Sequence, residues 1–148
     1  DIHRNFMGYS SSKTQLMVGL GMSAISDSWY AFAQNEKTVE DYQKRVEEGI
    51  IPVFRGHILN EEDLLVRQHI LNLMCRLETS WDESTDFPEL QNALETLKEM
   101  ETDGLVEISE NSIKITDQGR AFTRNVAMTF DLRMMRNKPE TRIFSMTI

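Results

Sequence analysis

The sequence predicts a mostly α fold with minor β: strand–loop–helix segments over residues 1–59, then a helical domain over residues 60–148. Three observations lead there. Apolar residues recur at helical spacing in Val66, Ile70, Leu73, Met74 and Leu77, again in Leu90, Ala93, Leu94, Leu97 and Met100, and again in Phe122, Val126 and Phe130. Val106 and Ile108, then Ile113 and Ile115, alternate with polar residues at the strand period. Residues 1–26 hold short apolar runs interrupted by Gly8, Gly19 and Gly21, and glycine weakens a helix.

Each element has a local reason. Extended segments joined by loops fit residues 1–26. Thr38 caps a helix over 39–48, rich in Glu, Lys and Gln, and Gly49 ends it. Pro52 opens a short extended piece that runs to Leu59 and suits a sheet edge. Asn60 precedes Glu61, Glu62 and Asp63, so a cap side chain meets acids at the positive end of a helix dipole. Trp81 to Asp86 reads as a polar loop, Pro88 opens the next helix, and Asp103-Gly104 stops it. Glu110, Asn111 and Ser112 turn a hairpin, after which Thr116 or Asp117 caps a last helix. Helix, helix, hairpin, helix is the order of a winged-helix-like module.

Composition narrows the partners. With 40% hydrophobic and 27% charged residues, the chain has the profile of a globular protein. Its net charge of −8 argues against nucleic acid and against an anionic membrane surface. Residues 88–130 carry eight acids against four bases, Lys98, Lys114, Arg120 and Arg124, so the wing has the wrong sign for DNA. No apolar run reaches the roughly 20 residues that span a bilayer. Cys75 is the single cysteine, so no internal disulfide forms and a cytoplasmic setting is expected. Asp1 and the following His3-Arg4-Asn5-Phe6 read as the middle of a protein, which suggests a fragment of a longer chain.

The residues alone point to no catalytic set. His3, His57 and His69 are scattered, and His69 has no second His or Cys at helical spacing to share a metal, so no metal site is expected. Cys75 lies in an apolar run and reads as a small packing residue. Gly19-Leu20-Gly21 is a weak fingerprint, with Ala24 at the third position and no helix former after it. It fits a tightly packed strand-loop better than a ligand loop.

Longer segments carry a resemblance. RNFMGYS at 4–10, GLGMSAIS at 19–26 and YAFAQN at 30–35 are followed by FRGHILNEEDLLVRQHILNLMC at 54–75. DGLVEI at 103–108, ITDQGRAFTRNVAMTFD at 115–131 and a closing IFSMTI complete the series. In order and spacing the chain resembles the C-terminal portion of oxygen-independent coproporphyrinogen III oxidases, radical S-adenosylmethionine enzymes of haem synthesis. The resemblance implies that residues 1–59 end a catalytic barrel and that residues 60–148 form the helical domain beside it. It implies oxidative decarboxylation of two propionates of coproporphyrinogen III to give protoporphyrinogen IX. The cofactors it implies are S-adenosylmethionine and a [4Fe-4S] cluster held by three cysteines. One cysteine cannot hold such a cluster, so this stretch alone is expected to bind none and to be inactive.

By the same resemblance Ile25, Ala24 and Gly21 wall the S-adenosylmethionine site, and Phe6 and Met7 lie near it. Arg4 is a candidate partner for a tetrapyrrole propionate. Met7 departs from versions that carry Gln there, which makes any contact apolar, and Met146-Thr147 also depart from the usual ending. The implied partners are the tetrapyrrole and the N-terminal barrel; in isolation, the exposed strand edges can pair two copies into a dimer. A haem-transferring radical S-adenosylmethionine relative often carries His near position 25, so Ile25 and the RNF-x-GY stretch favour the oxidase. A free-standing winged-helix interaction module is the reading of a different class.

Overall fold

The computed structural model describes residues 2–5, 7–82 and 88–131, with 88–92 described by their backbone alone. The chain divides into two compact units, Asp1–Leu65 and Val66–Ile148.

The first unit opens with a hairpin, β1 (His3–Asn5) against β2 (Gly8–Ser10), in which Arg4 faces Tyr9. A four-stranded antiparallel sheet follows: β3 (Leu16–Met17), β4 (Ile25–Ser28), β5 (Ala31–Asn35) and β6 (Val53–Ile58), paired in that order. Helix α1 (Val39–Glu47) connects β5 to β6. Thr38 caps it by accepting from the Asp41 N–H, and Gly49 leaves it with φ +71°. A bulge between Gln34 and Asn35 interrupts the β5–β6 ladder.

The mostly α expectation gives way here to a mixed α/β architecture. Among the described residues the first unit holds six strands and one complete helix. The strands are two to six residues long and carry Ser, Asp, Gln and Asn, so no period-two apolar stripe announces them. β1–β2 and β4–β5 are short hairpins, and only the β5–β6 ladder joins residues separated by a helix.

The two glycines between β3 and β4 have reasons inside the chain. A Cβ at Gly19 would lie 2.7 Å from the Ile25 carbonyl oxygen and 2.9 Å from its nitrogen, closer than packed atoms approach. Gly21 has open space around it but sits at φ +95°, a conformation L-residues avoid. Gly19 therefore answers to a neighbouring strand and Gly21 to a turn.

Helix α2 (Glu61–Arg76) starts with a reciprocal cap: the Asp63 N–H donates to Asn60 Oδ1 at 2.8 Å, and the Asn60 N–H to Asp63 Oδ2 at 3.2 Å. The His57 ring joins the same carboxylate oxygen at 2.9 Å.

In the second unit Leu77, at φ +64°, turns the chain from α2 into β7 (Glu78–Ser80). After α3 (Pro88–Thr102), Gly104 turns with φ +73° into β8 (Val106–Ser109) and β9 (Ser112–Ile115). The sheet order is β7-β9-β8. The expected last helix is instead a 3₁₀ turn, Gln118–Phe122, followed by α4 (Thr123–Met128). Thr116 Oγ1 accepts from the Gly119 N–H, whereas Asp117 spends its carboxylate on Arg120. The tighter turn shifts the helical phase: Phe122 stays 45% exposed while Val126 and Phe130 are fully buried.

Leu73, Ala93, Leu97, Val106, Ile113, Val126 and Phe130 form the core of this unit. His69 is buried among them, 3% exposed. Its ring lies tilted on Phe130 at 5.6 Å and edge-on to Trp81 at 6.4 Å, and Nδ1 meets Thr79 Oγ1 at 2.8 Å. Asn72 donates to that hydroxyl at 3.4 Å. Burial lowers the His69 pKa from 6.5. Among the described residues no helix is long and apolar enough to cross a membrane.

Two outcomes are expected. The unfolded chain binds a proton at His69 below pH 6.5 that the folded chain resists, so His69 supports the fold above 6.5 and this support is lost as pH falls through the lowered folded value. The stability difference between wild type and His69→Gln, from urea titrations at several pH values, shrinks toward acid with a slope of at most about 1.4 kcal/mol per pH unit. Gly19→Ala lowers stability by about 1–3 kcal/mol because the Ile25 backbone cannot yield, whereas Leu20→Ala, at an exposed neighbour, stays within about 0.5 kcal/mol. Thermal denaturation of the two variants checks the ordering.

Candidate ligand loop at residues 18–25

The segment between β3 and β4 turns its polar backbone inward. Asn35, at the end of β5 and 5% exposed, donates its side-chain amide to the Gly19 carbonyl at 3.0 Å and to the Gly21 carbonyl at 2.9 Å. Its main-chain N–H donates to the Ala24 carbonyl at 2.9 Å. The Gly19 N–H goes to Ser26 Oγ at 3.0 Å and the Gly21 N–H to the Tyr42 hydroxyl on α1 at 3.1 Å. The Ser23 N–H donates to the Glu36 carbonyl at 2.7 Å, and the Glu36 carboxylate pairs with Arg45 at 2.7 Å. Strand, loop and helix are thereby tied at one place.

Apart from Ser23, what remains on the outside is apolar. Val18 is 64% exposed, Leu20 84% and Met22 45%, alternating with glycines whose groups face in. Ala24 and Ile25 are half-buried where the loop enters β4, with Ile25 opposite Gln34. No residue from 18 to 25 is charged. Such a surface contacts flat or aliphatic groups by packing and offers no ion pair.

The structure brings three of the sequence-derived site residues together here: Gly21, Ala24 and Ile25. Arg4 and Met7 belong to the separate β1–β2 hairpin. The Arg4 guanidinium lies over the Tyr9 ring at 5.8 Å, and Met7 is 85% exposed at the turn. Phe6 lies outside the described residues. Among the described residues no three His, Cys, Asp or Glu side chains converge to hold a metal. His57 faces Asp63, His69 faces Thr79, and Cys75 is half-buried on α2.

Sequence reasoning missed Asn35, Tyr42 and Ser26. Asn35 bonds to residues 14 and 16 positions earlier, and no local pattern encodes that reach. The available hint was a polar pair, Gln34-Asn35, closing an otherwise apolar strand.

Residues 59–122 match the HemN C-terminal domain family. The chain is 34% identical over 99% of its length to oxygen-independent coproporphyrinogen III oxidase of Escherichia coli K12, and 30% identical over 100% of its length to that of Synechocystis. It spans about a third of those proteins, 33% and 34% of their lengths. A solved structure of E. coli coproporphyrinogen III oxidase (HemN), described as a radical SAM enzyme, superposes with a TM-score of 0.81 at 32% identity. That superposition covers 89% of this chain and 32% of the other. The chain is thus similar at residues 59–122 to the HemN C-terminal domain family and, along its length, to about a third of the length of oxygen-independent coproporphyrinogen III oxidases.

Proposed function

We propose that the chain is a C-terminal part of an oxygen-independent coproporphyrinogen III oxidase. The complete enzyme would oxidatively decarboxylate two propionates of coproporphyrinogen III to give protoporphyrinogen IX. The observation that carries this reading is similarity along 99% of the chain to a protein of that name. Residues 1–59 then close the catalytic barrel, and residues 60–148 are its helical, winged-helix-like companion. The order α2, α3, β8–β9 hairpin, α4 supports the second assignment. Exposed apolar residues in the first unit, among them Met7 at 85%, Leu20 at 84%, Ile58 at 82% and Ile51 at 78%, support the first, since a barrel partner would cover such a surface.

The implied cofactors fit unequally. The loop suits the adenosyl part of S-adenosylmethionine: its hydrogen-bonding groups at 19 and 21 are spent within the chain, and its exposed side chains are the apolar Val18, Leu20 and Met22 with Ser23 as the one polar member. S-adenosylmethionine, when bound, would supply the radical chemistry that removes a propionate hydrogen. The chain's part is to pack the nucleoside through Ala24 and Ile25 and to exclude water. Met7 adds an apolar contact, and Arg4, held over Tyr9, presents a cation to a propionate. An iron–sulfur cluster does not fit, because the chain has one cysteine. Its ligands belong to other parts of the enzyme.

The test uses the complete gene product that contains this chain. Reconstituted anaerobically with iron, sulfide, S-adenosylmethionine and an electron donor, it is expected to convert coproporphyrinogen III to protoporphyrinogen IX with release of carbon dioxide. The 148-residue chain alone is expected to do neither. Stoichiometric haem binding without decarboxylation by the complete protein would overturn the reading.

A further inference from the structure

The outward face of the loop depends on one side chain. Both amide hydrogens of Asn35 end on carbonyls of the same loop, at 3.0 and 2.9 Å, and two acceptors fix the amide's orientation. The loop they hold contains two glycines, so it has more conformations to lose than most segments of its length, and Ser23 is held at the disfavoured φ +59°. With the clamp in place, Val18, Leu20 and Met22 are presented together, and Ile25 is locked at the start of β4. Other side chains do not substitute. Aspartate would set a carboxylate against two carbonyl oxygens, leucine would leave both carbonyls without their donor, and glutamine adds a methylene to a fixed span.

We propose that Asn35 is a positioning residue for the adenosyl group: it preforms the apolar wall against which that group packs, without touching it. The proposal rests on the functional reading above. A wall ordered before binding does not charge the ligand for ordering it, so loss of the clamp falls on affinity for S-adenosylmethionine. The tetrapyrrole and the cluster, which do not depend on this loop's polar bonds, keep theirs.

The test uses the complete enzyme in three forms: wild type, Asn35→Asp, and Tyr42→Phe, which removes only the donation from the Gly21 N–H. Equilibrium titration gives the Kd for S-adenosylmethionine and for coproporphyrinogen III, absorbance reports the cluster, and hydrogen exchange without ligand reports the amides of residues 19–25. Asn35→Asp is expected to weaken S-adenosylmethionine binding by about tenfold or more and to speed exchange across the loop, with cluster absorbance and porphyrinogen affinity as in wild type. Tyr42→Phe is expected to move the same two quantities by less. Unchanged S-adenosylmethionine affinity in Asn35→Asp overturns the proposal alone. Loss of cluster, porphyrinogen and S-adenosylmethionine binding together in Asn35→Asp, with Tyr42→Phe unaltered, also overturns it, because the role is then general stability. A wild type that binds no S-adenosylmethionine overturns the functional reading and the proposal together.

Discussion

Two carbonyl oxygens two residues apart cannot face the same interior point unless a double donor stands between them. Asn35 supplies that donor for Gly19 and Gly21, and much of the first unit follows from it. Once both carbonyls turn in, the intervening Leu20 has to turn out. The chain at Gly19 is drawn so close to Ile25 that only hydrogen fits at its Cα. Asn35 makes this span from the end of β5, where the ladder to β6 slips. The bulge and the clamp are two aspects of the same geometry.

The second unit rests on a different constraint. Its center contains a polar ring, and its burial favours the neutral form. Thr79 meets Nδ1, while Phe130 and Trp81 surround the faces and edge. A second ring proton would place a charge beside aromatic carbon. β7 is positioned by the same contact, since Thr79 pairs with Ile113 in the sheet while its side chain holds the histidine. A three-residue strand without an apolar residue is thus held by a side chain on the preceding helix.

Helix ends were legible because their signals are local. Thr38, Asn60, Pro88 and Gly104 each act within four residues of their own position, and each stands where the sequence put it. The β8–β9 hairpin was legible because its alternation and its turn are contiguous. Residues 1–26 were legible only as extended segments, and β5 and β7 were not marked at all: β5 lacks period-two alternation and β7 is wholly polar. The break in the last helix escaped notice because Thr116 and Asp117 both read as caps, and only the geometry shows which one accepts from Gly119. The candidate site was half-legible. Glycine spacing marked the loop, but the reason for Gly19 lies six residues on, and the Asn35 contact lies beyond any local window.

The inward spending of polar groups also limits what the loop can recognise. S-adenosylmethionine carries a cationic sulfonium and a zwitterionic amino-acid end, and residues 18–25 offer neither charge nor a glycine N–H at positions 19 and 21 that is still available. On the proposed function this segment therefore selects for the nucleoside's shape and not for its charge. Discrimination by shape alone is modest, since one misplaced methylene changes affinity by only about 1–3 kcal/mol. The polar ends must then be read by groups outside this loop, as must the cluster, for which a single cysteine is insufficient. An apolar wall from one part of the enzyme and charged ligands from another can form a complete site only when the two are docked.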